Sequence, residues 1–210
     1  MKLLERKYLK LVKESDIPLS FFSLPVLRYF YLKRFEMVLS LMRGQTIPAL
    51  LEIGYGNGIL IPELASRTRE LHGVDIKDNV AVVSGILSEI GLAAHLTVGD
   101  IMKLPYPDSS FDGIVYISIL DHIKDLDRAM VELCRILRPG GVLYVGYPAK
   151  NAHMNAFFTL MGFKPDEIHP SSHTQIAESL ARHFTVQESS IMFPAMPLYF
   201  ASSWKKKAAV

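Results

Sequence analysis

A chain of 210 residues, half of them hydrophobic, is long enough for one domain with a sizeable core and too apolar to stay disordered. Its 23 basic and 21 acidic residues leave a net charge of +2, so no charge field argues for a nucleic-acid partner. The single Cys134 excludes an internal disulfide and a thiolate metal cluster, and reads as a small buried residue in a reducing compartment. Met1 to Glu14 is too charged for a signal peptide, and no apolar run approaches the roughly 18 residues of a membrane span, so a cytoplasmic location is expected.

The first residues are the hardest to place. Leu3, Leu4, Tyr8, Leu9, Leu11 and Val12 can share one face of a short helix. Pro18 and Pro25 bound the next segment, which carries the aromatic pair Phe21-Phe22. From Leu27 to Met42 apolar residues recur at threes and fours, which predicts a second helix ended by Gly44. Residues 1–46 thus read as a helical cap ahead of a domain of residues 47–210. Aromatic and basic residues interleave in the cap, so contact with a membrane surface stands as a second reading beside packing on a sheet edge.

Ala49 to Ile53 predicts the first strand and Ile59 to Arg67 the first helix. Glu70 to Asp75 is the second strand, followed by a helix from Asp78 to Ile90 ended by Gly91. Ala94 to Val98 and Gly113 to Ile117 are the third and fourth strands, short and apolar, as when helices cover both faces. Asp125 caps a helix from Leu126 to Leu137, Pro139-Gly140 stops it, and Val142 to Gly146 is the fifth strand. Asn151 to Met161 and His173 to His183 are helical, and Phe184 to Ile191 and Leu198 to Trp204 are two last strands. The order is that of a doubly wound, Rossmann-like α/β sheet.

The chemistry concentrates after the first strand. Leu50-Leu51-Glu52-Ile53 runs into Gly54-Tyr55-Gly56-Asn57-Gly58, with glycines at alternate positions. Lacking Cβ atoms, they allow a sharp turn and close approach of a ligand to the backbone. The dinucleotide fingerprint places its third glycine where this chain has Ile59. Asp75 closes the second strand at a separation suited to a ribose-binding carboxylate, which can accept from both vicinal hydroxyls.

These stretches resemble class I S-adenosylmethionine-dependent methyltransferases, in particular the ubiquinone and menaquinone branch acting on small molecules. Glu52-x-Gly54-x-Gly56-x-Gly58 is similar to the family's first motif, and Leu71-His72-Gly73-Val74-Asp75 to its second strand. Gly99-Asp100 with Leu104-Pro105-Tyr106-Pro107-Asp108-Ser109-Ser110-Phe111-Asp112 resembles the next motif. Glu132-Leu133-Cys134-Arg135-Ile136-Leu137-Arg138-Pro139-Gly140-Gly141 resembles the stretch before the fifth strand. The resemblance implies a seven-stranded sheet ending in an antiparallel hairpin, with helices on both faces, and S-adenosyl-L-methionine as cofactor. It further implies that Glu52 positions the turn and the cofactor's methionine part, that Asp100 accepts from the adenine amino group and that Ile101 neighbours it. Ile76 is placed to pack on the ring.

Ser118, Asp121 and His122 follow the fourth strand at the edge where open sheets bind ligands. His122 is suited by its ordinary pKa to orient an acceptor or take its proton, against a merely structural reading; Asp121 stands beside it. Tyr55, Tyr147, His153, His169 and His173 complete the polar candidates, with Tyr55 and Ser118 assigned to the cofactor and Tyr147, His169 and His173 to the acceptor. His169 and His173 are separated by Pro170, and no helical His pair with a carboxylate appears, so no metal is expected. The expected activity is methyl transfer to a small, partly apolar acceptor. The rivals are an NAD- or NADP-dependent oxidoreductase and a cofactor-binding partner protein without catalysis. Oligomeric state is open.

Overall fold

The computed structural model describes residues 1–12, 25–42, 44, 46–160 and 170–207. Strands β1 (Ile47–Ile53), β2 (Thr68–Asp75), β3 (His95–Val98), β4 (Phe111–Ile117), β5 (Leu137–Pro148), β6 (Phe184–Met192) and β7 (Tyr199–Lys206) form one sheet. Their order is β3-β2-β1-β4-β5-β7-β6. The first five are parallel, whereas β7 runs antiparallel between β5 and β6. After β1 the chain moves outward to β2 and β3, then returns to add β4 on the other side of β1. That reversal opens a crevice at the carboxyl ends of β1 and β4, where ligands of such sheets bind.

Helices cover both faces, as the apolar strands require. On one face lie α1 (Arg6–Leu9), α2 (Pro25–Ser40), α3 (Ile61–Ala65) and α4 (Val80–Glu89), packed around Leu50, Val115 and Tyr199. The other face carries α5 (Leu126–Ile136) and α7 (His173–His183), with Leu126, Met130, Leu133, Ile176 and Leu180 buried against Leu51, Ile114 and Val145. A further helix, α6 (Ala152–Leu160), follows β5. Asp125 accepts from the Arg128 N–H, and Ser172 with Gln175 forms a capping box at α7, so both helices start where their caps dictate. None of the helices is long and apolar enough to cross a membrane, among the described residues.

Three expectations shift. The first helix is a single turn, because Ser66 closes it and Arg67 turns back to pair with Glu63 and to donate to the Leu39 carbonyl. The N-terminal helix shortens to Arg6–Leu9, and the chain before it extends so that the Leu4 N–H reaches the Ile59 carbonyl. Pro139-Gly140 does not separate helix from strand. Leu137 already pairs with Phe111, and residues 138–141 bulge out before Val142 pairs with Gly113. Gly140, at φ 78°, supplies the left-handed residue. The Phe21-Phe22 pair, Met161 and His169 lie outside the described residues.

The two motif stretches around residues 104–112 and 132–141 are locked to each other. Arg135 donates to both Glu132 oxygens, to Asp108 Oδ1 and to the carbonyls of Leu104 and Tyr106. Glu132 in turn accepts from the Leu104 N–H at 2.7 Å, and Arg138 holds Asp112 at 2.6 Å. Arg135 thus fixes the loop that follows Asp100. Arg135→Ala removes this clamp from a partly exposed site, and a loss of about 2 kcal/mol in urea unfolding is expected.

Candidate active site

The sequence from Gly54 to Gly58 turns because three of its residues adopt φ between 54° and 74°, a region that L side chains avoid. The glycines then differ in what surrounds them. A Cβ on Gly54 meets Ile119 Cδ1 at 1.6 Å, and one on Gly58 meets Val83 at 2.8 Å. Gly56 faces open space, with nothing within 4 Å of that position. Here the turn presents bare backbone to the crevice.

Asp75 holds the turn from the end of β2. Its Oδ2 accepts from the Gly56 N–H at 2.8 Å and its Oδ1 from the Lys77 N–H at 2.9 Å. Each carboxylate oxygen keeps capacity for a further donor. Asp75 is 8 % exposed, whereas its neighbour Ile76 is 71 % exposed, an apolar surface beside a polar anchor. Asp100 lies at the adjacent carboxyl end, exposed, with Oδ1 accepting from Met102 N–H. Ile101 is buried against Leu104 and Val74.

Glu52, one residue before the end of β1, is 7 % exposed, and its Oε2 has no hydrogen-bond partner among the described residues. Burial, and secondarily the negative charge of Asp75, pushes its carboxyl up to about 8. Tyr55 turns inward: its side chain is buried, its ring lies against the position of Gly73, and burial pushes its phenol up. Only its backbone belongs to the turn.

Across the crevice, Ser118 sits at φ 56°, an uncommon conformation for a non-glycine residue. Its Oγ lies 2.8 Å from the Tyr199 hydroxyl and accepts from Arg34 Nη1 at 3.0 Å. A short turn, Leu120–His122, follows; Asp121 is buried, and its Oδ2 stands 3.7 Å from Nε2 of the more exposed His122. Tyr147 and His173 share one packing partner. Both rings stack on Phe200, at 5.8 Å and 5.0 Å between centroids. The backbone N–H of Lys150 donates to His173 Nδ1, and burial lowers the imidazole's pKa. The structure therefore gathers Glu52, Gly54, Gly56, Gly58, Asp75 and Ser118 about the switch point, with Asp100, Asp121 and His122 on its rim. Tyr147 and His173 stack on Phe200.

Arg34, Tyr31 and Tyr199 are members of this site that the sequence reading did not single out. A signal was present: Leu27, Tyr31 and Val38 mark the buried stripe of α2, and Arg34 falls on it at the same spacing. A charge on an apolar stripe needs a reason. Outside the crevice, Glu70, His72 and His95 bring ligand atoms within 4.8 Å of one another on β2 and β3, a grouping that crosses two strands.

Glu52 offers a buried acceptor without a donor, Gly56 an open backbone, and Asp75 a carboxylate poised at a strand end. Residues 51–145 match the family model of a methyltransferase domain. The demethylmenaquinone methyltransferase of Bacillus licheniformis is 26% identical over 167 residues, which cover 77% of this chain and 70% of that protein. Other curated relatives are matched over less than two thirds of their own length, for example 60%, 41% and 29%. Among solved structures, the N-methyltransferase NodS from Bradyrhizobium japonicum WM9, in complex with S-adenosyl-L-homocysteine, superposes with a TM-score of 0.66 at 19% identity, over 97% of this chain and 100% of that one. The [4+2]-cyclase SpnF gives 0.69 at 20% identity, over 84% and 82%. At such identities these structures share the fold alone, and the second is named for a different reaction. Residues 51–145 thus carry a likeness to a methyltransferase domain, set on a sheet of order β3-β2-β1-β4-β5-β7-β6.

Proposed function

We propose that this protein binds S-adenosylmethionine at the β1–β2 turn and transfers its methyl group to a small, partly apolar acceptor. The observation that carries the reading is the buried, unpartnered Glu52 Oε2 beside the open Gly56 backbone and Asp75. The bound cofactor would supply a methyl group already activated by sulfonium charge. Asp75 takes the ribose hydroxyls, Asp100 and Ile76 the adenine, and Glu52 the cationic amino-acid end. Ser118 and His122, at the end of β4, would line the side of the crevice where the methyl is transferred. The protein's task there is alignment and exclusion of water.

The acceptor side is apolar. Phe30 of α2 meets Phe193 of the β6–β7 turn at 5.8 Å, and Tyr29, Val26, Phe193 and Met196 are exposed nearby in the chain. Such a rim suits a hydrophobic ring or chain better than a polyanion. The relative named for demethylmenaquinone supports the same acceptor class. Two observations weigh against a dinucleotide cofactor. Ile59 is buried under the N-terminal segment where that fingerprint needs glycine, and β7 enters the sheet antiparallel.

The test is transfer of label from methyl-labelled S-adenosylmethionine to a panel of hydroquinones, phenols and amines. Labelled product with equimolar S-adenosylhomocysteine is expected for at least one apolar acceptor. Cofactor binding without transfer to any of them would favour a non-catalytic partner protein.

A further inference from the structure

We infer that Arg34 is an oxyanion receptor at the β4 end of the crevice, binding a carboxylate or an ionised phenol-type oxygen. This deepens the proposed function, because it assigns a ligand group to the part of the site beyond the nucleoside. Arg34 reaches from α2 to the carboxyl end of β4 and is partly buried. Its guanidinium lies 4.3 Å from the Tyr31 ring centroid and 5.8 Å from that of Tyr199. It donates from Nη1 to Ser118 Oγ at 3.0 Å and from Nε to the Tyr31 carbonyl at 3.5 Å. No carboxylate pairs with it among the described residues, and Nη2 donates to none of them.

A partly buried guanidinium gains from an anion, and its fork is shaped for two parallel hydrogen bonds to one. The surroundings hold the fork still rather than neutralise it. Aromatic faces contact it, and Ser118 is kept in a left-handed conformation that brings its hydroxyl between Arg34 and Tyr199. The nearby buried acid, Glu52, feels chiefly burial and Asp75, so Arg34 is not its counter-ion. Arg34 is a cation set aside at the end of the crevice opposite Asp75 and Asp100.

Two oxyanions suit this receptor: the carboxylate of the cofactor's own amino-acid arm, or an ionised oxygen on the acceptor. Calorimetry on the wild type, Arg34→Lys and Arg34→Met separates them. The ligands are S-adenosylhomocysteine, 5′-methylthioadenosine (which lacks the carboxylate) and benzoate, the last titrated with and without S-adenosylhomocysteine. Loss of a charge-assisted bidentate contact is expected to weaken the affected ligand about tenfold or more in R34M, with R34K in between. Weaker S-adenosylhomocysteine with unchanged methylthioadenosine assigns the cofactor carboxylate. Unchanged nucleosides with weaker benzoate assign the acceptor. Equal loss of both nucleosides, or no difference from wild type with any ligand, overturns the proposal. A wild type that binds neither nucleoside defeats the cofactor reading instead, and benzoate on the free protein still tests Arg34.

Discussion

Gly56→Ala is expected to fold and to lose S-adenosylhomocysteine binding, whereas Gly54→Ala is expected to lose stability first. The two glycines share a positive φ, so each substitution carries a left-handed strain of about 1–2 kcal/mol. Their surroundings separate them. The added methyl of Gly54→Ala lands 1.6 Å from Ile119 Cδ1, so the Ile119 side chain must repack to admit it. At Gly56 the methyl touches no protein atom within 4 Å and stands in open space beside Asp75. Thermal melting and calorimetry on both variants read the difference. In G56A a modest shift in melting temperature should accompany loss of affinity by roughly a hundredfold, as steric exclusion of a close backbone contact implies. Intact binding in G56A would place the ligand elsewhere.

The second large effect is protonic. Glu52 ordinarily titrates near 4.5, but burial and the Asp75 charge raise it to about 8, so it is protonated in the free protein at neutral pH. A group whose folded pKa lies above its unfolded value contributes stability that is fully present below about 4.5 and is lost as pH rises toward and through 8. The loss is bounded by roughly 5 kcal/mol, and Glu52→Gln should flatten that part of the stability profile. Binding runs the other way: an ammonium brought to Oε2 favours the ionised carboxylate. S-adenosylhomocysteine binding at pH 7 should therefore release close to one proton, seen as a binding enthalpy that changes with the ionisation heat of the buffer. E52Q should abolish the buffer dependence. An unchanged proton count in E52Q would remove Glu52 from the cofactor's cationic end.

What was legible in the sequence is local. A strand, an alternating glycine turn and a strand-ending carboxylate fall within residues 50–75, and their chemistry depends on neighbours in the chain. Asp125 and Ser172 announce their helices for the same reason. The antiparallel hairpin beside β5 rested on resemblance, since strand order is a property of the whole sheet. The other half of the site depends on packing. Arg34 and Ser118 are 84 residues apart and Ser118 and Tyr199 are 81 apart, so only the docking of α2 over β4 and β7 makes them one cluster. Tyr147 and His173 show the converse: polar residues at suitable places in the chain whose rings are taken up by Phe200. The bulge at residues 138–141 hid strand behind a Pro-Gly stop, because a strand that bulges tolerates both.

The most direct test is calorimetric titration of the wild type with S-adenosylhomocysteine, with NAD and NADP in parallel. Micromolar S-adenosylhomocysteine binding, with no heat from either dinucleotide, is the predicted result. Tight dinucleotide binding with no response to S-adenosylhomocysteine would contradict the account and return Ile59 and the β1–β2 crevice to a different cofactor.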